Sequence, residues 1–123
     1  MLEISNATTA AFKLNTLQIL SLGDIVQLTY QGNNVVLSIS DGLAPLGILT
    51  SISSVSDEGT VSYGRRYVTT DNYVTSVIYP LNANLYIADG KFTTVRPTPV
   101  HPAIALVVSP PSALDANLGC IWF

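Results

Sequence analysis

Residues 81–109, LNANLYIADGKFTTVRPTPVHPAIALVVS, contain a complete small unit of β-structure. Leu85-Tyr86-Ile87 reads as a strand, Asp89-Gly90 as a turn, and Lys91-Phe92-Thr93-Thr94-Val95 as the returning strand. An Asp-Gly pair between two such runs is a strong hairpin signal, because glycine takes the positive φ of a tight turn at little steric cost. A proline loop follows, and then the apolar run 103–108. The unit has an echo in residues 22–52, LGDIVQLTYQGNNVVLSISDGLAPLGILTSI, which run through strand, Gly/Asn turn, strand, proline-bearing loop and the apolar run Pro45-Leu46-Gly47-Ile48-Leu49. Two copies in the same order predict a duplicated β-meander.

The rest of the chain extends the pattern. Residues 25–30 place Val26, Leu28 and Tyr30 on one face and Gln27 and Thr29 on the other, as alternation in a strand requires. Residues 35–39 return, and 45–52 are apolar on both faces, as a strand covered on both sides would be. Residues 60–63, 67–70 and 73–79 are three more short strand candidates, and 118–123 close on an apolar one. Short strands separated by turn signals at intervals of about ten residues predict an all-β fold, a small β-sandwich or barrel. Residues 1–20 form an N-terminal arm and 21–123 a single β domain in this reading. Three conformations fit the arm: a helix over 9–18 with Ala10, Leu14 and Leu17 on one face, an internal edge strand, or an extended arm that adds a strand to a neighbouring subunit.

Charged residues are only 11% of the 123, against about 25% in an ordinary soluble domain. A surface so poor in charge calls for neighbours, since obligate interfaces are depleted in charge and rich in apolar and aromatic groups. Five basic and eight acidic residues, net −3, leave no electrostatic footprint for nucleic acid. No apolar run approaches the ~18 to 20 residues that span a bilayer, and the first residues lack the basic and apolar regions of a signal peptide. The sequence therefore predicts neither a nucleic-acid nor a membrane partner.

Catalytic chemistry is thinly supplied. His101, the one histidine, lies in the proline loop between Val100 and Pro102 and reads as a turn-side residue rather than a general base. Asp24, Asp41, Asp57, Glu58, Asp71, Asp89 and Asp115 fall almost wholly at turns, where aspartate bonds nearby amides. One Cys and one His cannot build a structural zinc site, and no loop spaces its carboxylates for calcium. The expectation is no enzyme, no metal and no cofactor, with Cys120 a small buried hydrophobe. Tyr63, Tyr67, Tyr73 and Tyr79 read first as sheet packing and second as a recognition platform. Arg96-Pro97-Thr98-Pro99-Val100-His101-Pro102 matches a polyproline-ligand pattern, but the favoured reading is that the prolines stiffen a strand crossing and protect sheet edges. Asn6-Ala7-Thr8 matches a glycosylation acceptor, but with no secretion signal the match reads as chance.

Gly23-Asp24-Ile25-Val26-Gln27-Leu28 followed by Pro45-Leu46-Gly47-Ile48-Leu49, and then Asn84-Leu85-Tyr86-Ile87-Ala88-Asp89-Gly90-Lys91-Phe92-Thr93-Thr94 followed by Ile104-Ala105-Leu106-Val107-Val108, resemble small structural proteins of tailed bacteriophages, most of all the capsid decoration or cement proteins. The resemblance covers about 22–108. It implies a non-enzymatic virion protein, made in the host cytoplasm, that binds the major capsid protein on the outer surface of an icosahedral shell. Such proteins are often homotrimers at local threefold positions and hold the shell against the pressure of packed DNA. On this reading the chain ends supply the subunit or capsid interface: Leu2, Ile4, Phe12, Leu14, Ile121, Trp122 and Phe123. The same patterns occur in phage tail, fibre and baseplate β-modules, which is the first alternative. The second is a carbohydrate- or ligand-binding β-domain using the tyrosine-rich segment.

Overall fold

The computed structural model of the chain describes residues 2–4 and 8–123, and among these every helix or strand is a strand. The fold is all-β. Its simplest unit is the hairpin that the Asp-Gly pair predicts. β8 (Asn84–Ala88) and β9 (Lys91–Thr93) pair antiparallel with Ala88 opposite Lys91, and Asp89 and Gly90 have φ of 49° and 73°. Positive φ at both central residues is the type I′ geometry whose twist matches that of the flanking strands. The earlier hairpin pairs β3 (Ile25–Gln31) with β4 (Asn34–Ile39).

Each hairpin is then extended in the same way. β5 (Gly47–Ser53) returns antiparallel onto β3, with Val26 opposite Gly47, and β10 (Ala105–Ser109) returns onto β8, with Leu85 opposite Ala105. β6 (Glu58–Tyr63) adds to β5 and β11 (Leu118–Trp122) to β10. Both pairs shift register at the corresponding place, between Leu49 and Ser51 and between Val107 and Ser109. Finally β2 (Thr8–Leu14) adds to β6 and β7 (Arg66–Thr70) to β11. The strand orders β4-β3-β5-β6-β2 and β9-β8-β10-β11-β7 are therefore one topology used twice.

The backbone bonds outside the ladders repeat as well. Gly23 and Asn82, both at positive φ, donate to the carbonyls of Leu49 and Val107 at 2.8 and 2.9 Å. The amides of Leu49 and Val107 donate back to Asp24 and Ala83, and those of Leu46 and Ile104 to Val26 and Leu85. Thus the repeat is larger than the meander read from the sequence: it comprises residues 8–63 and 66–122.

The copies differ in closure. In the first, β2 runs parallel to β4, with Leu14 opposite Leu37, and completes a closed five-stranded barrel. In the second, Phe92 stands where Leu37 does, and among the described residues the only bridge across the gap is the parallel pair Tyr73–Phe92. That copy instead gains β1 (Glu3–Ile4) on the edge of β7, making the six-stranded sheet β1-β7-β11-β10-β8-β9.

Two readings of the sequence are corrected. Residues 8–14 are neither a helix nor a free arm, because six consecutive pairs to β6, Thr8–Tyr63 through Lys13–Glu58, hold them in the barrel wall. Ala10, Phe12 and Leu14, alternating at period two, supply the half-buried inner face. Residues 73–79 form no strand beyond the Tyr73 bridge; the segment folds back so that the Tyr79 hydroxyl reaches the carbonyls of Val74 (2.6 Å) and Phe92 (3.1 Å).

The alternation of β-structure distributes the core. Val26, Leu37, Leu49 and Val61 fill the barrel, whereas Ile25 and Ile48, on the other face of β3 and β5, join Leu85, Ile87, Phe92, Val107, Leu118, Cys120 and Trp122 in the second cluster. Ile25 and Ile48, both essentially inaccessible, bind the two copies together.

Removing residues 1–11 deletes β1 and most of β2, so the barrel must open. A loss of stability beyond that of a single core truncation, ~2–5 kcal/mol, is expected in urea unfolding followed by circular dichroism. A shortened chain with the full-length midpoint would show that β2 does not close the barrel.

Candidate interaction surface

The groups with the most chemical potential are all committed to holding the fold. His101 is buried, its Nε2 lies 2.8 Å from the carbonyl of Asp41, and its Nδ1 lies 2.7 Å from the Thr98 hydroxyl. A carbonyl can only accept, so Nε2 carries the proton, and in the neutral ring Nδ1 accepts from Thr98. The proline loop is folded on itself around this ring: Arg96 Nε donates to the His101 carbonyl at 2.9 Å, its guanidinium lies 5.6 Å from the Tyr86 ring centre, and the His101 amide donates to Thr98. That turn is not the extended helix that polyproline grooves bind. His101 therefore fastens the 96–102 loop of the second copy to the Asp41–Gly42 loop of the first.

Arg66 makes the second fastening. It donates from Nε to the Ser62 hydroxyl and from Nη2 to the Ser62 carbonyl, both at 2.7 Å, and from Nη1 to the Gly64 carbonyl. Its guanidinium lies 4.7 Å from the centre of the Trp122 ring, opposite it across the β7–β11 pair. A desolvated cation–π contact of this kind is worth about 2 kcal/mol. Burial lowers the guanidinium pKa to about 10, against the opposing influence of Cys120, and leaves it cationic at neutral pH. Burial likewise pushes the Cys120 thiol up to about 12, with the Arg66 charge working against it, so no thiolate nucleophile exists there near pH 7.

The tyrosines do not form a shared platform. Tyr73 and Tyr79 meet edge to face, 5.1 Å apart at 82°, and Tyr73 bonds the Ala116 carbonyl. Tyr79 is buried, and Tyr67, on β7 between β1 and β11, is exposed. An open cleft of about 460 Å³ beside them is lined by Tyr73, Thr75, Val77, Ile78, Tyr79 and prolines. Among the described residues no group of three His, Cys, Asp or Glu side chains is placed to hold a metal ion. Asn6 and Ala7 of the glycosylation pattern lie outside the described residues.

The residues expected at an interface are mostly turned inward. Leu2 and Ile4 pack half-buried against the second core, Phe12 and Leu14 against the first, Trp122 is buried, and Ile121 is half-buried. Phe123 alone of the seven stands in solvent, at 54% exposure. Trp122 could contact a neighbour only if the core opened, since its ring packs on Phe92 and Arg66.

The exposed apolar surface lies elsewhere. The β3–β4 hairpin presents Leu28, Tyr30 and Val35 around a hollow of about 260 Å³, with Tyr30 directly opposite Val35. Their alternation with Val26 is visible in the sequence, but where along β3 the barrel ends and the row emerges into solvent is not. Other large apolar groups are exposed as well, among them Ile19, Val55 and Leu114 on loops and turns. No protein-family model matches the chain, and no curated protein matches it.

The alkaline behaviour follows from the two raised acids. Cys120 and Tyr79, buried, keep their protons in the folded state to about pH 12, whereas their ordinary values are 9.0 and 10.0. The unfolded chain releases protons first, so the stability they contribute is complete below about pH 9 and declines above it. Arg66, shifted downward, acts in the opposite sense only from about pH 10. The urea midpoint is therefore expected to be lower at pH 10 than at pH 8, with a smaller drop in Cys120→Val; equal drops in the two proteins would remove Cys120 from the account.

Proposed function

We propose that this chain is a structural virion protein that binds the outer surface of an icosahedral phage capsid through the major capsid protein and stabilises the shell. The observation that carries the reading is uncovered apolar surface: sixteen large hydrophobic side chains stand exposed among the described residues of a chain with five basic and eight acidic ones. Burial of such surface releases roughly 25 cal/mol per Å², and little charge has to be desolvated to achieve it. The commitment of His101, Arg66 and Cys120 to internal contacts supports a role in association rather than in turnover. A shell offers many copies of one site, so modest individual contacts suffice when the bound chains also contact one another. A homotrimer at threefold positions fits this economy.

A tail, fibre or baseplate module is the second reading, favoured by one feature: the two copies within the chain dock head to tail, and heterologous contacts build rings or filaments.

Purified protein mixed with undecorated capsids of the phage that encodes it is expected to sediment with the shells, to saturate in proportion to capsomers, and to raise the temperature at which they disrupt. Sedimentation with tails alone would select the second reading, and sedimentation with neither would remove both.

A further inference from the structure

The contact between the two copies within one chain has a donor and an acceptor. The donor is the tip of the β8–β9 hairpin. Gly90 is buried, its carbonyl accepts from the Ile25 amide at 3.0 Å, and its amide donates to the Ser40 carbonyl at 2.9 Å. A Cβ on Gly90 would stand 2.9 Å from Ile39 Cγ2, so the fit is close. The acceptor is the far end of the β3–β4 hairpin together with Ile25 and Ile48, which share a buried cluster with Ile87 of the donor.

Because the copies share register, each half of this contact has a counterpart. Ile87 lies opposite Phe92 as Leu28 lies opposite Leu37, so Leu28 holds the position of Ile87. Ile87 is fully buried, whereas Leu28 is 41% exposed. The β3–β4 hairpin also runs two pairs further, Tyr30–Val35 and Gln31–Asn34, and those pairs carry Tyr30 at 79% and Val35 at 46% exposure. Residues 25–40 contain no charged side chain. An exposed apolar hairpin without the charges that ordinarily protect β-edges is built for a partner.

The counterpart of the acceptor is at the other end of the molecule. Ile25 and Ile48 correspond to Asn84 and Leu106, which are opposite each other across β8 and β10, and Ser40 corresponds to Val95. Asn84 is exposed, Val95 is 56% exposed, and Leu81 and Ile78 beside them are 59% and 78% exposed. Residues 72–88 again contain no charged side chain.

We propose that the β3–β4 hairpin of one chain docks on a second copy of this chain, its tip seated between Asn84 and Val95, in continuation of the contact that joins the two copies within each chain. The proposal rests on the association role above and names the partner and the surface. A heterologous contact of this kind closes into a ring or propagates as a filament according to its rotation.

Light scattering over a range of concentrations tests it together with a cross-link. The wild type is expected to exceed the 13.1 kDa of one chain, and Tyr30→Asp to return to that mass with unchanged circular dichroism and thermal midpoint. Mixing Asn33→Cys chains with Val95→Cys chains under oxidation is expected to give a mixed disulfide dimer; Cys120 is buried and does not compete. An assembled wild type whose mass Tyr30→Asp leaves unchanged, or a mixture that forms no mixed dimer, overturns the hairpin contact and leaves the capsid-binding reading intact. A wild type that is monomeric at every concentration yet sediments with capsids overturns the self-contact alone.

Discussion

Gly90 places its peptide group at the splayed end of β3 and β4, so that the Ile25 amide and the Ser40 carbonyl bond to it rather than to each other. Asn72 secures the same junction by donating from Nδ2 to the carbonyls of Gly23 (2.8 Å) and Gly90 (2.9 Å). With the turn seated there, Ile25 and Ile48 on the barrel's outer face cover the open side of the second copy and complete its core. The barrel is closed by its own ladder, but the second copy, bridged only at Tyr73–Phe92, depends on this cover. Its remaining fastenings, the His101 latch to Asp41 and the Arg66 bonds to Ser62, also cross between copies, so the second copy's order is tied to the first at three places.

What could be read from the sequence was what is local. The Asp89-Gly90 turn, the Gly32 turn and the hairpins on either side of them have their causes within a few residues, and the order in which those elements recur was visible as an echo. The third strand of each unit is legible for a different reason: β5 and β10 are apolar runs that only a doubly covered strand would carry. Closure was not legible. β2 reads poorly because its inner residues Ala10, Phe12 and Leu14 are only half-buried and are followed at once by Leu17 and Ile19, both exposed, which blurs the period. Its strand identity comes from β6, more than forty residues away, as strand preference generally comes from pairing rather than from the segment. Residues 73–79 failed in the opposite direction: β-favouring tyrosines and valines are present, but beyond the Tyr73–Phe92 bridge the backbone leaves the sheet, and the Tyr79 hydroxyl bonds back to the Val74 carbonyl.

Low charge led the sequence reading to expect covered surface at the chain ends, and the structure buries or half-buries every one of those residues except Phe123. Chain ends were the natural place to look because free ends reach neighbours. Here the described part of the amino end becomes β1 and β2, and β11 fills the place between β7 and β10, so that covering Trp122 is work for the chain itself. The apolar row Val26-Leu28-Tyr30 carries one alternation, yet its first member is fully buried and its last almost fully exposed. No periodicity encodes where a barrel ends.

Comparison of the copies separates what the fold requires from what association requires. The backbone bonds at Leu49 and Val107, the register shifts beside them and the positive φ at Gly23 and Asn82 are shared, although few side chains are. Those features are the conditions for the topology. Besides closure and the added β1, the copies differ in the length of the first hairpin and in Asn84 standing where Ile25 does at the acceptor end. The longer, apolar, uncharged β3–β4 hairpin runs two pairs beyond the shorter one; Gln31 of the outer pair holds Thr16 within the chain, whereas Tyr30 stands in solvent. Two linked copies leave one donor and one acceptor without an internal counterpart, the β3–β4 hairpin of the first copy and the Asn84–Val95 end of the second.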